Sequence, residues 1–506
     1  MLRKSTATAF KFGIVVLLLF VLLFADGIRG ISPSFFGSVA REVTAVFRDP
    51  ETQWMVFLCL GVYFTTFLFL RTRTSTGFWQ TANPNLWLGC VLLISAMIYA
   101  FNYSSSLDAL MLLAGAVLGQ GAAVWAGFEV RHRKSEVRNS LGILLLSLLV
   151  MSLASASFLN TNSSHIFEYH GYSRWSGPWD NPNIFGLLMG VGIALAAGCA
   201  GSCVMCRVSC KAEGGRWKLG VMKYAAAILC FFAAILMFRG LLHSYGRGAW
   251  LATFCGTAYL MGSRFWVLGS GGTRETSQVL NPSILNSQPS TATPNWFHRN
   301  VLPLTAIVFC VGILSFWHFR QTDWHPAHRA FSVGNQNDFS WRNRLSAWEG
   351  ALQITAEHPW FGAGWNQPEP MYERYYLPPK STESAAIQMN DYLLLGATLG
   401  IPALFFFGMY VWLCLRNGSW KMGDGEQQEA GRGQKLGIGT QDLKSDLQSP
   451  VSDLLSMTCR AGAIVLMVGF WFDGGLFKLA TASIFWILLE LGSTGNHEIH
   501  EPHEND

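Results

Sequence analysis

The chain has 506 residues, of which 51% are hydrophobic and only 13% charged, and its mean hydropathy is +0.28. An ordinary soluble domain carries about 25% charged residues, so a soluble multidomain protein is excluded. The formal net charge of +5 does not indicate a nucleic-acid partner, because the basic residues gather in short loops between apolar runs.

A helix crosses the hydrocarbon core with about 20 mostly apolar residues. By that measure spans are expected near 10–28, 53–70, 85–101, 107–127, 139–158, 183–205, 220–241, 248–268, 300–318, 390–415, 460–474 and 476–492. The first follows Arg3, Lys4 and Lys11 but lacks a small-x-small cleavage site, so it is read as a span rather than a removed leader. Alternate loops hold Arg71 and Arg73, then Arg131, Arg133, Lys134 and Arg138, then Arg207, Lys211, Arg216 and Lys218, and later Lys421, Arg432, Lys435 and Lys444. Positive loops stay inside, which puts both termini in the cytoplasm. The expected fold is an all-α polytopic integral membrane protein of about 12 transmembrane helices, with one large outer loop at 319–389 containing an amphipathic helix. None of the 11 cysteines lies in that loop, so no structural disulfide is expected. Residues 270–298 and 417–457 have the Ser/Thr/Gly/Pro-rich or Gly/Gln/Asp/Lys-rich composition of solvated linkers, and the tail after 493 is polar.

Three segments depart from the oily background, and this topology puts all of them on the outer face. In 174–186, RWSGPWDNPNIFG, Asn181-Pro182-Asn183 is a helix-start signal preceded by Arg174. In 243–252, HSYGRGAWLA, Arg247 stands at the start of the next span between Gly246 and Gly248. A helix start presents unpaired N–H groups and partial positive charge, and a guanidinium beside it can grip two phosphate oxygens. The alternative is an arginine that snorkels to the lipid headgroups. In 343–366, NRLSAWEGALQITAEHPWFGAGWN, Leu345, Trp348, Leu352 and Thr355 recur at helical spacing and Arg344 lies one turn from Trp348. Pro359, Gly362 and Gly364 then break the helix. Such a helix suits a lid lying on the membrane with Arg344 turned inward; an interfacial helix whose arginine pairs with lipid phosphate or a carboxylate is the other reading. His325 and His328 near Asp323, and Cys199, Cys203, Cys206 and Cys210, lack convincing ligand spacing, so no metal site is expected.

Taken in order, these segments resemble the O-antigen ligase/polymerase superfamily of bacterial membrane glycosyltransferases. RWSGPWDNPNIFG is similar to its R-x-x-G-x-x-x-N-P-N element, SYGRGAW to its S-R-G-A-W turn, and NRLSAWEGALQITAEHPWFGAGWNQ to its R-x-x-x-W…P-x-x-G-x-G element. NDYLLLGATLGIPAL resembles the element that opens the following span. The resemblance covers most of a core at 170–415, flanked by N-terminal helices in 1–169, a cytoplasmic linker at 416–459, a final span pair at 460–492 and the tail 493–506. It implies a multi-pass enzyme of the bacterial inner membrane, with its active site facing the periplasm. Such an enzyme moves a glycan from an undecaprenyl-pyrophosphate carrier to an acceptor hydroxyl, on a glycolipid, glycan or protein, without cofactor or metal. Arg247 and Arg344 are then the catalytic cations, with Arg174, Asn181, Asn183, Trp348, Gly362, Gly364 and Asn390 contributing to substrate binding.

One departure bears on the proton acceptor. The ligases carry a histidine immediately before the Asn-Asp pair, whereas this chain reads Gln388-Met389-Asn390-Asp391. A thioether is no general base. Asp391, His358 and Glu357 are the nearby candidates; alternatively the chain belongs to the repeat-unit polymerases, acts as a protein O-oligosaccharyltransferase, or is impaired. A polysaccharide or lipid transporter is the reading from a different class, and against it the ionisable residues within spans, such as Lys223, Asp473 and Glu490, fall near span ends.

Overall fold

A computed structural model describes residues 84–102, 108–117, 119, 146–157, 163–169, 172–179, 181–210, 217–270, 339–377, 390–416 and 449–493. The expected spans near 10–28, 53–70 and 300–318, the linker 270–298, Met389 and the His325/His328 pair lie outside the described residues. The chain divides into two compact units, 1–260 with 342–506, and 261–341. Among the described residues the second unit holds only the last residues of one helix and the first residues of another.

The first unit is built from helices. They are α1 (Pro84–Asn102), α2 (Asp108–Val117), α3 (Leu146–Ser157), α4 (Pro182–Cys210), α5 (Trp217–His243), α6 (Arg247–Ser270), α7 (Phe339–Glu357), α8 (Pro368–Met371), α9 (Asp391–Arg416), α10 (Ser449–Phe472) and α11 (Leu479–Ser493). Stretches of α4, α5, α9 and α10 are long and apolar enough to cross a membrane, while α1, α2, α3 and α11 supply shorter apolar runs. The sequence reading is thus upheld as a mostly helical protein with membrane spans. It needs two corrections: α10 already begins at Ser449, inside the stretch 417–457 expected to be solvated linker, and a two-stranded antiparallel hairpin, β1 (Ser163–Tyr169) and β2 (Tyr172–Trp175), sits in a chain expected to be all helical. The hairpin's register pairs Glu168 with Ser173 and Tyr169 with Tyr172, and the irregularity between Ser163 and Glu168 hides the alternation by which strands are recognised.

The core lies where α4 packs on α5 and α10, and α9 packs on α1. Aromatic side chains fill it: Phe470, Phe485, Trp486, Phe407 and Tyr410 meet at ring separations of 5.3–6.5 Å, mostly edge on or tilted. Such geometry suits the ring quadrupole. Close approach of helices uses small residues, as where Gly469 of α10 lies against Leu187 of α4.

Helix α9 is broken. Gly400 has φ 85° and ψ 173°, and Pro402 follows. Leu-type residues do not adopt that backbone, and proline offers no N–H, so the break frees polar groups beside apolar helices. The loop after α7 satisfies them. Ala363 N–H donates to Ala397 O at 2.7 Å, Gly364 N–H to Thr398 O at 3.0 Å, and Ile401 N–H to Pro359 O at 2.8 Å. A Cβ on Gly362 would collide with the Thr398 backbone, and one on Gly400 would sit 2.6 Å from the Trp360 carbonyl. The glycine spacing in HPWFGAG therefore serves a backbone-to-backbone seam with α9.

Candidate functional site

The segments 174–186 and 243–252 meet through Arg174. Strand β2 carries it, and its guanidinium donates from Nε to Ser244 O at 2.8 Å and from Nη2 to Asn183 Oδ1 at 2.6 Å. Asn181 caps α4: its Oδ1 accepts from Asn183 N and Ile184 N. The α5–α6 turn is equally fixed. Ser244 Oγ donates to Leu241 O and accepts from Gly246 N, while Trp250 Nε1 donates to Leu241 O. Tyr245, at φ 51°, supplies the reversal. Gly186 lets α4 approach so closely that a Cβ there would strike Ser244 Oγ. Trp175, beside Arg174, stacks on His243 at 4.2 Å and lies 5.2 Å from the Arg239 guanidinium, which pins the hairpin to the end of α5.

The third segment reaches the second through Asp473, in the loop between α10 and α11. Arg344 Nη2 donates to Asp473 Oδ1 at 2.9 Å, and both side chains are buried. The other oxygen of that carboxylate lies against the first turn of α6: a Cβ on Gly248 would run into Asp473 Oδ2 and come within 2.7 Å of Phe472 Cβ. Arg247 is the first residue of α6 and is half-buried. Arg344 Nε and Asp473 Oδ2 are buried with no hydrogen-bond partner. Around the pair, Trp348 meets Trp471 edge on at 5.8 Å, and Trp471 meets Tyr392 at 5.9 Å.

Two further residues organise the same end of the bundle. Asn390 caps α9, its Oδ1 accepting from Tyr392 N and Leu393 N, and its Nδ2 is buried without a partner. Asp391 is buried and its Oδ2 accepts from Leu476 N, so the start of α9 holds the loop that carries Asp473. Gly362 and Gly364 belong to the α9 seam rather than to this cluster. His358 is exposed and follows the end of α7. At 1.5 Å per residue it stands roughly 20 Å along the helix from Arg344, so the two are not brought together. There Glu357 accepts a hydrogen bond from the Tyr376 hydroxyl and pushes its pKa up to about 12.

The amphipathic helix expected in the outer loop is present, starting at Phe339 rather than Asn343, but the stripe differs from the expected one. Leu345 and Leu352 are 46% and 56% exposed. The buried face is Asn343, Arg344, Ala347, Ala351 and Ile354, with Gly350 against Tyr372. Small residues win that face because α7 packs closely on Tyr372 and Ala397.

The fold and these contacts define a mostly helical protein with membrane-spanning segments that gathers buried and half-buried guanidinium groups near the starts of α4 and α6 and the end of α10. Residues 232–408, which take in Arg247, Arg344 and both seam glycines, match the family model described as O-antigen ligase, and this match supports the resemblance to the O-antigen ligase/polymerase superfamily. No curated protein matches the chain. Arg174 and Asp473 fall outside the matched segment.

Proposed function

We propose that this protein is a metal-independent membrane glycosyltransferase that moves a glycan from an undecaprenyl-pyrophosphate carrier to an acceptor hydroxyl on the periplasmic face, in surface-polysaccharide synthesis. The observation that carries the reading is the buried Arg344–Asp473 pair set against the Arg247 turn of α6.

In the reaction the acceptor oxygen attacks the anomeric carbon, the bond from that carbon to the carrier phosphate oxygen breaks, and the carrier pyrophosphate leaves with the electron pair. Arg247, the α6 start and the unused donors of Arg344 meet the charge that grows on that pyrophosphate. Arg174 holds the α4 start and the α5–α6 turn in register. The hydroxyl proton needs an acceptor, and we assign it to Asp473 Oδ2, the oxygen that Arg344 does not engage. Asp391 then acts as a positioning residue through its bond to Leu476 N.

A second reading, transfer onto another repeat unit or onto a protein, is favoured by Met389 in the place where the ligases carry histidine. One experiment separates the two. Deleting the gene and profiling surface polysaccharide together with carrier-linked glycan gives, for a ligase, loss of the surface ladder with long carrier-linked chains. A polymerase instead gives accumulated single units. An unchanged profile in both fractions contradicts transfer altogether.

A further inference from the structure

The loop joining α7 to α8 is placed within the span bundle, and its tip is not covered by the protein. Trp365 Nε1 donates to Ser95 O at 3.3 Å. Ser95 lies seven residues inside the Asn102 end of α1, roughly 10 Å along that helix. The same loop forms the three-bond seam with the broken middle of α9, so residues 359–364 sit beside Ile401, ten residues into a membrane-spanning helix. Irregular backbone at such depth survives only where protein satisfies its polar groups. Here α9 does so.

The side chains at the tip have no such cover. Trp360 and Phe361 are 71% and 62% exposed. Alongside them Ile401 and Phe405, one turn apart on α9, are also exposed, and Phe405 meets Trp87 of α1 edge on at 5.9 Å. The apolar outer surface of two membrane helices is thus continuous with the loop tip. Water is a poor solvent for two adjacent bare aromatic side chains, and a hydrocarbon or interfacial environment suits them. We infer that the 359–364 loop is a re-entrant wedge whose Trp360 and Phe361 side chains are seated among the acyl chains of the outer leaflet, tethering to the bilayer the end of the helix that carries Arg344.

The occupant is bilayer lipid rather than the carrier's isoprenoid chain, because the tip continues a general lipid-facing surface instead of lining a closed groove. The full chain in nanodiscs made without carrier lipid tests this. A benzophenone amino acid replaces Trp360, or in a second variant Phe361, and adducts are read by mass spectrometry after illumination. Phe232, exposed on the α5 span, serves as the lipid-facing reference and Gln353, exposed on α7, as the water-facing one. The expected result is phospholipid adducts at 360 and 361 comparable to those at 232, and their loss at 353. Adducts at 232 with none at either tip position overturn the wedge. So do adducts at the tip that form only once carrier lipid is added, which would make the surface a carrier site.

Discussion

Arg174 on strand β2 and Arg344 on helix α7 both reach the ends of neighbouring helices, yet the protein holds them in different ways. Arg174 is half-buried and donates to neutral acceptors, a carbonyl and an amide oxygen, which fix its orientation. Arg344 is buried and bonded to a carboxylate, so its charge is balanced and its position is locked. A guanidinium motif in a sequence therefore has no single meaning. One such residue fastens two helix ends together; the other forms half of a buried ion pair whose carboxylate packs against Gly248, the residue after Arg247.

The largest effect should come from breaking the buried pair on one side. Arg344→Ala leaves Asp473 buried and unpaired, a change that typically costs about 3–5 kcal/mol. We expect a clear loss of thermal stability together with glycan transfer reduced roughly 100-fold or more. Adding Asp473→Ala should recover much of the stability, measured by thermal melting in detergent, without recovering transfer. If the double variant also regains activity, the pair is structural only.

Next comes Arg247→Ala. Arg247 is half-buried at a helix start, so its removal should leave folding near the wild type while transfer falls about 100-fold, and Arg247→Lys should restore only part because a point charge lacks the planar fork. Transfer at the wild-type rate by an abundant Arg247→Ala protein would reduce that arginine to a lipid anchor.

Arg174→Ala removes two hydrogen bonds from a charged donor, each worth roughly 1.5–3 kcal/mol at most. Its effect should appear in stability as much as in rate, with kcat falling in proportion to the folded fraction. A rate loss with an unshifted melting temperature would place Arg174 among the groups that touch substrate and would erase its contrast with Arg344.

A finer comparison uses neighbouring glycines. Gly248→Ala forces a methyl into Asp473 Oδ2, and overpacking of this kind costs about 1–3 kcal/mol. Gly246→Ala meets nothing nearer than 3.4 Å and should be nearly silent in the same assays. The smallest expected effect is that of a chelator. Among the described residues no group of three or more His, Cys, Asp or Glu side chains is placed to hold a metal ion, and transfer should continue unchanged in its presence.

Much of this was legible in the chain. The apolar runs gave α4, α5, α6 and α9 within a few residues of their ends, because hydrocarbon thickness fixes how long such a run must be. The segment around Arg344 read correctly as a helix, yet its apolar stripe did not identify the buried face. Near a membrane Leu345 and Leu352 can remain exposed to lipid while Ala347 and Ala351 pack inward, so the rule that apolar means inside loses its force. Asp473 looked like one more polar residue at a span end. Its pairing with Arg344 spans 129 positions of sequence, and no local periodicity encodes such a partner. The seam between 359–364 and the Gly400 break was visible only as scattered glycines, since the bonds involved are all main chain.

Asp473→Asn is the most direct test of the central assignment. The substitution preserves shape and a hydrogen-bond acceptor for Arg344 but removes the basic oxygen. Expressed at normal abundance in a deletion strain, this variant should leave the surface glycan absent while carrier-linked glycan accumulates. A surface ladder of wild-type intensity, with no build-up on the carrier, would contradict the assignment of Asp473 as the proton acceptor.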